Sequence, residues 1–341
     1  MRFSWRSALG IGLSAALVWW ALQRTPWAEV SRGVAQANVL LLIATAIAAT
    51  GIFPLRARRW RTILDPVAPA LPFGPLWRAT AIGMMVNNIV PARAGELARA
   101  YALSREVPAV PFSTAFASLA VDRVFDLLVV LLLTFAAMLD PRFPRVARIG
   151  SQSQTGFAIV GVSLSAGLLV ALYLLVLFPD RVIALYEAFT RRVAPSIEAR
   201  GRNVLKSFAG GLSVLRSPRR FSAVFMWALV HWLLNAFAFW LAFKAVHVEV
   251  PLSAALFVQG IICFGVALPS SPGFAGVFVV SAMASLGIYG IANGPALTWA
   301  VCFHVVSYIP ITVIGVWYFT RLGLTFGELR GAGRADASEA G

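Results

Sequence analysis

Three ionisable residues stand together in an otherwise apolar stretch between Phe112 and Leu139: Asp122, Arg123 and Asp126. On a helix Asp122 and Asp126 fall one turn apart on the same face, and Arg123 reaches Asp126 at i+3, so the spacing predicts a locally paired cluster. Each ionised group at membrane depth costs at least ~2.5 kcal/mol on insertion scales, which demands partners and a place facing the interior of a bundle. Two roles are open to such a cluster: the wall of a polar pathway, or a structural salt bridge near the cytoplasmic interface.

A second group runs from Asn87 to Arg99 and holds two amides, Asn87 and Asn88, with Arg93, Glu96 and Arg99 at i, i+3 spacing on one helical face. Pro91 interrupts it. A half-helix ending there and another beginning at Ala92 would present free backbone amides to an anion, and Arg93 would add a forked donor suited to phosphate. A cytoplasmic amphipathic helix whose arginines touch lipid phosphates without selecting them has the same pattern, except that Glu96 is then superfluous unless it pairs with an arginine. A third group, Pro269-Ser270-Ser271-Pro272-Gly273-Phe274-Ala275-Gly276, has no charge but offers two hydroxyls and backbone amides made accessible by Gly273 and Gly276. It reads as a coordinating loop or as a tight turn. His231 with Asn235, and His304 with Ser307 and Tyr308, share helical faces; interhelical hydrogen bonding is the ordinary role and proton coupling the sharper one.

The elements that carry these residues follow from composition. Of 341 residues 59% are hydrophobic and 13% charged, against about 25% charged in soluble domains, which excludes a soluble globule. The net charge of +15 is spread between long apolar runs, so the anionic partner is a membrane surface rather than nucleic acid. Cys263 and Cys302 lie in apolar segments without metal-ligand spacing, so neither a disulfide, a metal nor a cofactor is expected. No glycine-rich phosphate loop, HExxH, GxSxG or kinase signature is present, and no soluble catalytic module is expected.

A membrane-crossing helix needs roughly 20 apolar residues. Six runs meet that template: Ser7 to Leu22, Ala37 to Leu55, Phe112 to Leu139, Gly156 to Phe178, Phe221 to Phe243 and Ala296 to Thr320. The first resembles a signal peptide in its flanks but has no A-x-A site, and reads as a retained span. Leu76 to Tyr101 and Leu252 to Ile291 are broken by proline and glycine. Proline frees backbone groups that must be buried in protein or line a wet cavity, so each stretch reads as a broken, re-entrant helical hairpin. The fold expected is an all-α polytopic membrane protein with six spanning helices and two such hairpins. With this count 22 of 29 basic residues fall on one side, including both termini and Arg56 to Arg78, and the positive-inside rule makes that side the cytoplasm. The implied location is the inner (cytoplasmic) membrane.

Pro91-x-x-x-Gly95 and Pro269-x-x-x-Gly273 are 178 positions apart. One integral-membrane domain, residues 1–330, would then consist of inverted halves, 1–155 and 156–330, whose hairpins meet near the midplane as in secondary transporters. The basic stretch 179–220 reads as an amphipathic connection on the inner leaflet, and 331–341 as a disordered tail.

Arg58-Arg59-Trp60, Asn88-x-x-Pro91-x-Arg93-x-Gly95-Glu96-x-x-Arg99, Asp122-Arg123-x-x-Asp126 and Pro269-Ser270-Ser271-Pro272-Gly273-x-x-Gly276 occur in this order over residues 5 to 325. Together they resemble the lysylphosphatidylglycerol synthetase transmembrane-region family, also called flippase-like domain proteins. The resemblance implies a polytopic module that moves a lipid between leaflets, without the soluble aminoacyl-transferase domain of bifunctional members. Its cargo would be an anionic phospholipid or lipid-linked intermediate. Arg93, Glu96 and Arg99 would orient the head group, Asn88 would hydrogen-bond it, Asp122, Arg123 and Asp126 would wall the path, and Ser270, Ser271 and Gly273 would line the second loop. The alternative is a membrane enzyme or a scaffold holding a lipid-pathway enzyme, in a polyprenyl- or hopanoid-linked pathway. Two positions depart from the family: Phe274, where glycine is common, and Asp122-Arg123, where Glu-Arg is common.

Overall fold

The computed structural model describes residues 27–90, 94–144, 154–184, 186, 216–267 and 274–329. Among them are ten helices and no strand: α1 (Trp27–Ala35), α2 (Val39–Leu64), α3 (Phe73–Ile89), α4 (Gly95–Glu106), α5 (Phe112–Ala137), α6 (Gln154–Leu177), α7 (Pro218–Ala245), α8 (Leu252–Ala267), α9 (Ala275–Ile288) and α10 (Asn293–Arg321). The all-α expectation holds. Five of the six spans appear as α2, α5, α6, α7 and α10. The first, Ser7 to Leu22, lies outside the described residues, as do most of the 179–220 connection and the 331–341 tail.

Helix α2 starts at Asn38, whose side chain accepts the Leu41 backbone N–H at 3.1 Å and satisfies one orphan donor of the first turn. Its C-terminal half corrects the sequence reading. The apolar run ends at Leu55, yet the helix continues to Leu64 with Arg56, Arg59 and Trp60 buried. Arg56 and Arg59 therefore leave the cytoplasmic loop to which the hydropathy count assigned them. A charged residue inside a bundle is tolerated where a carboxylate meets it, and α5 supplies two.

Both interrupted stretches are hairpins. Helix α3 gives way at Val90 to an extended conformation, φ −105° and ψ 132°, the backbone favoured before a proline. The arms α3 and α4 then lie against each other so closely that a Cβ on Gly83 would sit 2.7 Å from the Gly95 carbonyl oxygen and 2.8 Å from the Arg99 Cβ. Only hydrogen at those positions permits the approach. The Asn87 side chain accepts the Gly95 N–H at 2.9 Å and so caps the opening of α4. The arms of 17 and 12 residues, and of 16 and 14 in α8 and α9, are each shorter than the ~20 residues that cross a bilayer. Helix α9 begins at Phe274 with φ 56°, in the left-handed region that favours glycine.

Packing has a regular plan. Helix α2 lies along α7; α3 packs on α10 while α8 packs on α5; α4 packs on α5 while α9 packs on α10; α1 packs on α10 while α6 packs on α5. Exchanging α1, α2, α3, α4 and α5 for α6, α7, α8, α9 and α10 maps this set of contacts onto itself. One core surrounds Trp299, Phe243 and Phe239, where α7, α9 and α10 meet, and another surrounds Trp60, Leu76 and Ile82, where α2 and the first hairpin meet.

Candidate functional site

Asp122 and Asp126 project from one face of α5 and are 1% and 5% exposed. Arg59 of α2 bridges them, with Nε 2.6 Å from an Asp122 oxygen and Nη1 2.8 Å from an Asp126 oxygen. A planar guanidinium spans two carboxylates one helical turn apart, which a lysine ammonium could not do. Arg99 of α4 reaches Asp122 at 3.4 Å and lies 4.2 Å above the Trp60 ring, while the Trp60 indole N–H donates to Ser118 at 2.7 Å. The stacked ring and the carboxylate together hold the guanidinium of Arg99 in the protein interior.

On the other side of Asp126, the Trp232 indole N–H of α7 donates to it at 2.9 Å, and His231 Nδ1 stands 3.8 Å away. Arg56 lies farther from both carboxylates, 3.9 Å from Asp122 and 3.7 Å from Asp126. Arg123 pairs with Glu96 of α4 and also stands 3.7 Å from Asp126, the i+3 contact expected from the sequence. Glu96 thus acquires the arginine partner that its position required.

This network borders a cavity of about 390 Å³. Its polar lining includes Arg56, Asn87, Asn88, Glu96, Arg123, Asp126, His231, Trp232, Asn235 and Gln259, and its aromatic lining includes Phe239, Phe264, Phe274, Phe278, Phe303 and Tyr308. Most of the polar residues come from α2 to α5 and α7, and most of the aromatic ones from α8 to α10. Both hairpins reach it. The arrangement can hold a molecule that is charged at one part and apolar at another, keeping polar groups hydrogen-bonded where lipid could not.

The structure brings together Asn88, Glu96, Arg123 and Asp126 of the residues singled out in the sequence. Asn88 borders the cavity and donates to the Thr312 hydroxyl at 2.7 Å. Asp122 and Arg99 stand behind the wall, bonded to each other and to Arg59 or Trp60, without lining the cavity. Arg93, Ser270, Ser271 and Gly273 lie outside the described residues. The two histidines separate: His231 faces Asp126 while Asn235 turns to Gln259, at 3.0 Å, and His304 stacks on Tyr308 with ring centroids 3.9 Å apart.

Sequence reasoning gave no site role to Arg56, Arg59, Trp232 or Gln259, although Arg59 stands in the Arg58-Arg59-Trp60 motif. The signal for the first two was available in their i, i+3 spacing beside Trp60, which makes one helical face continuous with the apolar run. Trp232 and Gln259 carry no local signal, because an indole and a single amide in a membrane helix are unremarkable until a carboxylate and a cavity stand against them.

No solved structure matches this chain. Two UPF0104 membrane proteins of Methanothermobacter thermautotrophicus are similar, one 27% identical over 76% of each chain and the other 24% identical over 95% of each. Glycosyltransferase AglD of Haloferax volcanii is 38% identical over 102 residues, 30% of this chain and 16% of that protein. The model of the lysylphosphatidylglycerol synthase TM region matches residues 7–315, nearly the whole chain, and the chain belongs to that family of membrane proteins.

Proposed function

We propose that the protein moves an amphipathic lipid, an anionic phospholipid or a lipid-linked intermediate, between the leaflets of the inner membrane, with both termini cytoplasmic. The observation that carries this reading is the cavity bordered by Arg56, Glu96, Arg123 and Asp126 on its polar part and by Phe278, Phe303 and Tyr308 on its apolar part. A head group crossing hydrocarbon must shed water from its charges, and a wall of ion pairs replaces that water. The paired contacts of α2 to α5 and α7 to α10 support inverted halves, in which one hairpin gates each side. Asn88, Glu96, Arg123 and Asp126 contact the head group in this reading. Arg93, Ser270, Ser271 and Gly273 fall in the sequence between the arms of the two hairpins, outside the described residues, and Arg59, Arg99 and Asp122 hold the wall in place.

A second reading rests on the partial match to a protein named as a glycosyltransferase. It places the chain in a glycolipid pathway, as a membrane enzyme or as a scaffold for one.

Reconstituted vesicles separate the two. With a fluorescent phospholipid in the inner leaflet, a translocase exposes the label to an external quencher and returns the lipid chemically unchanged. Asp126→Asn should slow that exposure at least tenfold by losing the charge that Arg59 and Trp232 hold. Exposure no faster than in protein-free vesicles, or a modified lipid in the extract, would sink the translocase reading, and equal rates for wild type and Asp126→Asn would remove Asp126 from its path.

A further inference from the structure

Four residues bordering the cavity carry a buried polar atom without a hydrogen-bond partner among the described residues: Asp126 Oδ2 and His231 Nδ1 lie beside the ion-pair network, and Arg56 and Gln259 contribute the two N–H donors. Arg56 is 7% exposed and its Nε has no hydrogen-bond partner among the described residues; Gln259 is 1% exposed and its Nε2 likewise has none. Buried polar groups are almost always satisfied, so an orphan pair bordering one cavity marks a place where a ligand supplies the acceptors. Arg59 takes one oxygen of each carboxylate, at 2.6 and 2.8 Å, while Arg56 Nη2 stands 3.9 and 3.7 Å from the other two oxygens, beyond hydrogen-bond distance, so the ion pairs leave its Nε unanswered. Its Nη1 faces the soft thioether of Met84, at 3.8 Å.

Gln259 is aimed by a neighbour. Asn235 of α7 donates to its carbonyl oxygen at 3.0 Å, which leaves the NH₂ end of the amide as the group without a partner. Both residues line the cavity. The charge balance has the same sense: Arg56, Arg59, Arg99 and Arg123 face Glu96, Asp122 and Asp126, an excess of one positive charge among the described residues.

We infer that Arg56 of α2 and Gln259 of α8 form a two-pronged phosphoryl site, so that the cargo is a lipid whose phosphate is not neutralised by an aminoacyl cation. The inference rests on the translocase reading and narrows its substrate. A phosphodiester brings two acceptor oxygens and one negative charge, which answers both orphan donors and the excess charge together. A lysyl ester would bring an ammonium, more donors and a like charge beside four guanidiniums. The two prongs come from the two exchanged sets of helices, so the bound phosphoryl group ties them together. Asn235 acts as a positioning residue.

The test uses the full chain in nanodiscs and four probes: dihexanoyl phosphatidylglycerol, its lysyl ester, a dihexanoylglycerol glucoside without phosphate, and inorganic phosphate. Phosphatidylglycerol should bind at least tenfold tighter than the other three. Gln259→Leu should weaken it about tenfold and Arg56→Gln more, as loss of one neutral and one charge-assisted bond implies. Gln259→Glu should shift preference toward the lysyl ester, a reversal that a merely structural role would not produce.

Preference of the wild type for the lysyl ester, or unchanged phosphatidylglycerol binding in Gln259→Leu and Arg56→Gln, would overturn the site. Inorganic phosphate binding as tightly as the lipid would overturn the lipid as its ligand. If Arg56→Gln does not fold, the two Gln259 variants carry the test alone. The vesicle assay run in parallel keeps the two readings apart: selective binding without leaflet exchange removes the translocase, and exchange indifferent to Arg56 and Gln259 removes the clamp.

Discussion

The Nε of Arg59 lies 2.6 Å from an oxygen of Asp122, and the two side chains are 0% and 1% exposed. This contact joins the C-terminal half of α2 to the middle of α5, and it is made where water cannot compensate its loss. Arg59→Leu would leave two carboxylates buried without their bridging cation, at a cost of about 3–5 kcal/mol. Thermal unfolding in detergent should show a large drop. Arg59→Leu combined with Asp122→Leu should lose less than the two single changes added together, and strict additivity would show that the pair is not coupled.

The pair between Arg123 and Glu96 differs in kind. Arg123 is 48% exposed along its side chain and Glu96 23%, so solvent screens the interaction and Glu96→Gln should change stability by under about 1 kcal/mol. Its expected effect is on function, since it joins the first hairpin to α5 at the edge of the cavity. Leaflet exchange should fall in Glu96→Arg and recover in Glu96→Arg/Arg123→Glu. A single variant that exchanges lipid at the wild-type rate would remove the pair from the pathway.

Close approach of the hairpin arms depends on Gly83. An added methyl would meet the Gly95 carbonyl oxygen at 2.7 Å, which is backbone and cannot yield. Gly83→Ala should cost about 1–3 kcal/mol by overpacking. Gly167, in the middle of α6, has open space around its missing Cβ, and Gly167→Ala should be neutral or raise stability by up to about 1 kcal/mol. Melting curves of the two variants should move in opposite directions.

Beyond α10, Thr325 and Glu328 form a reciprocal cap. The Glu328 carboxylate accepts the Thr325 backbone N–H at 2.9 Å and its hydroxyl at 3.0 Å, while the Thr325 hydroxyl accepts the Glu328 N–H at 3.3 Å. These bonds, the backbone N–H foremost, and the charge of Arg105 hold the carboxyl below its ordinary value of 4.5. A depressed acid contributes its stabilisation above the ordinary value and loses it as pH falls through the depressed one. Protection of the amides across 325–329, measured against their intrinsic exchange rates at each pH, should therefore fall on acidification below about pH 4.5, and Glu328→Gln should flatten that dependence. An unchanged profile in the variant would assign the effect to another group.

Much of this architecture is legible without coordinates. Apolar runs of the right length stood for α5, α6, α7 and α10, because a helix in lipid must satisfy its own backbone and the requirement is written locally in composition. The two hairpins were legible for the complementary reason: proline at 91 and 269 removes a donor and disfavours the helical region for the residue before it, and at both places glycine follows within four residues, whereas Pro54 and Pro310 stand in long apolar runs and remain inside α2 and α10. Asp122, Arg123 and Asp126 announced themselves by their cost in an apolar run.

Local sequence could not say who answers those charges. Arg56 and Arg59 lie past the end of an apolar run, and composition alone assigns such arginines to a loop; only the packing of α2 on α5 turns them into buried partners. Gln259 carried no local signal and Asn235 only its shared face with His231; they become a directed donor and its support only when α7 and α8 meet beside the cavity. The helices were thus determined residue by residue, through hydropathy and backbone sterics. The site was decided by tertiary structure, because an ion pair or an orphan donor is a property of groups brought together from elements far apart in the chain.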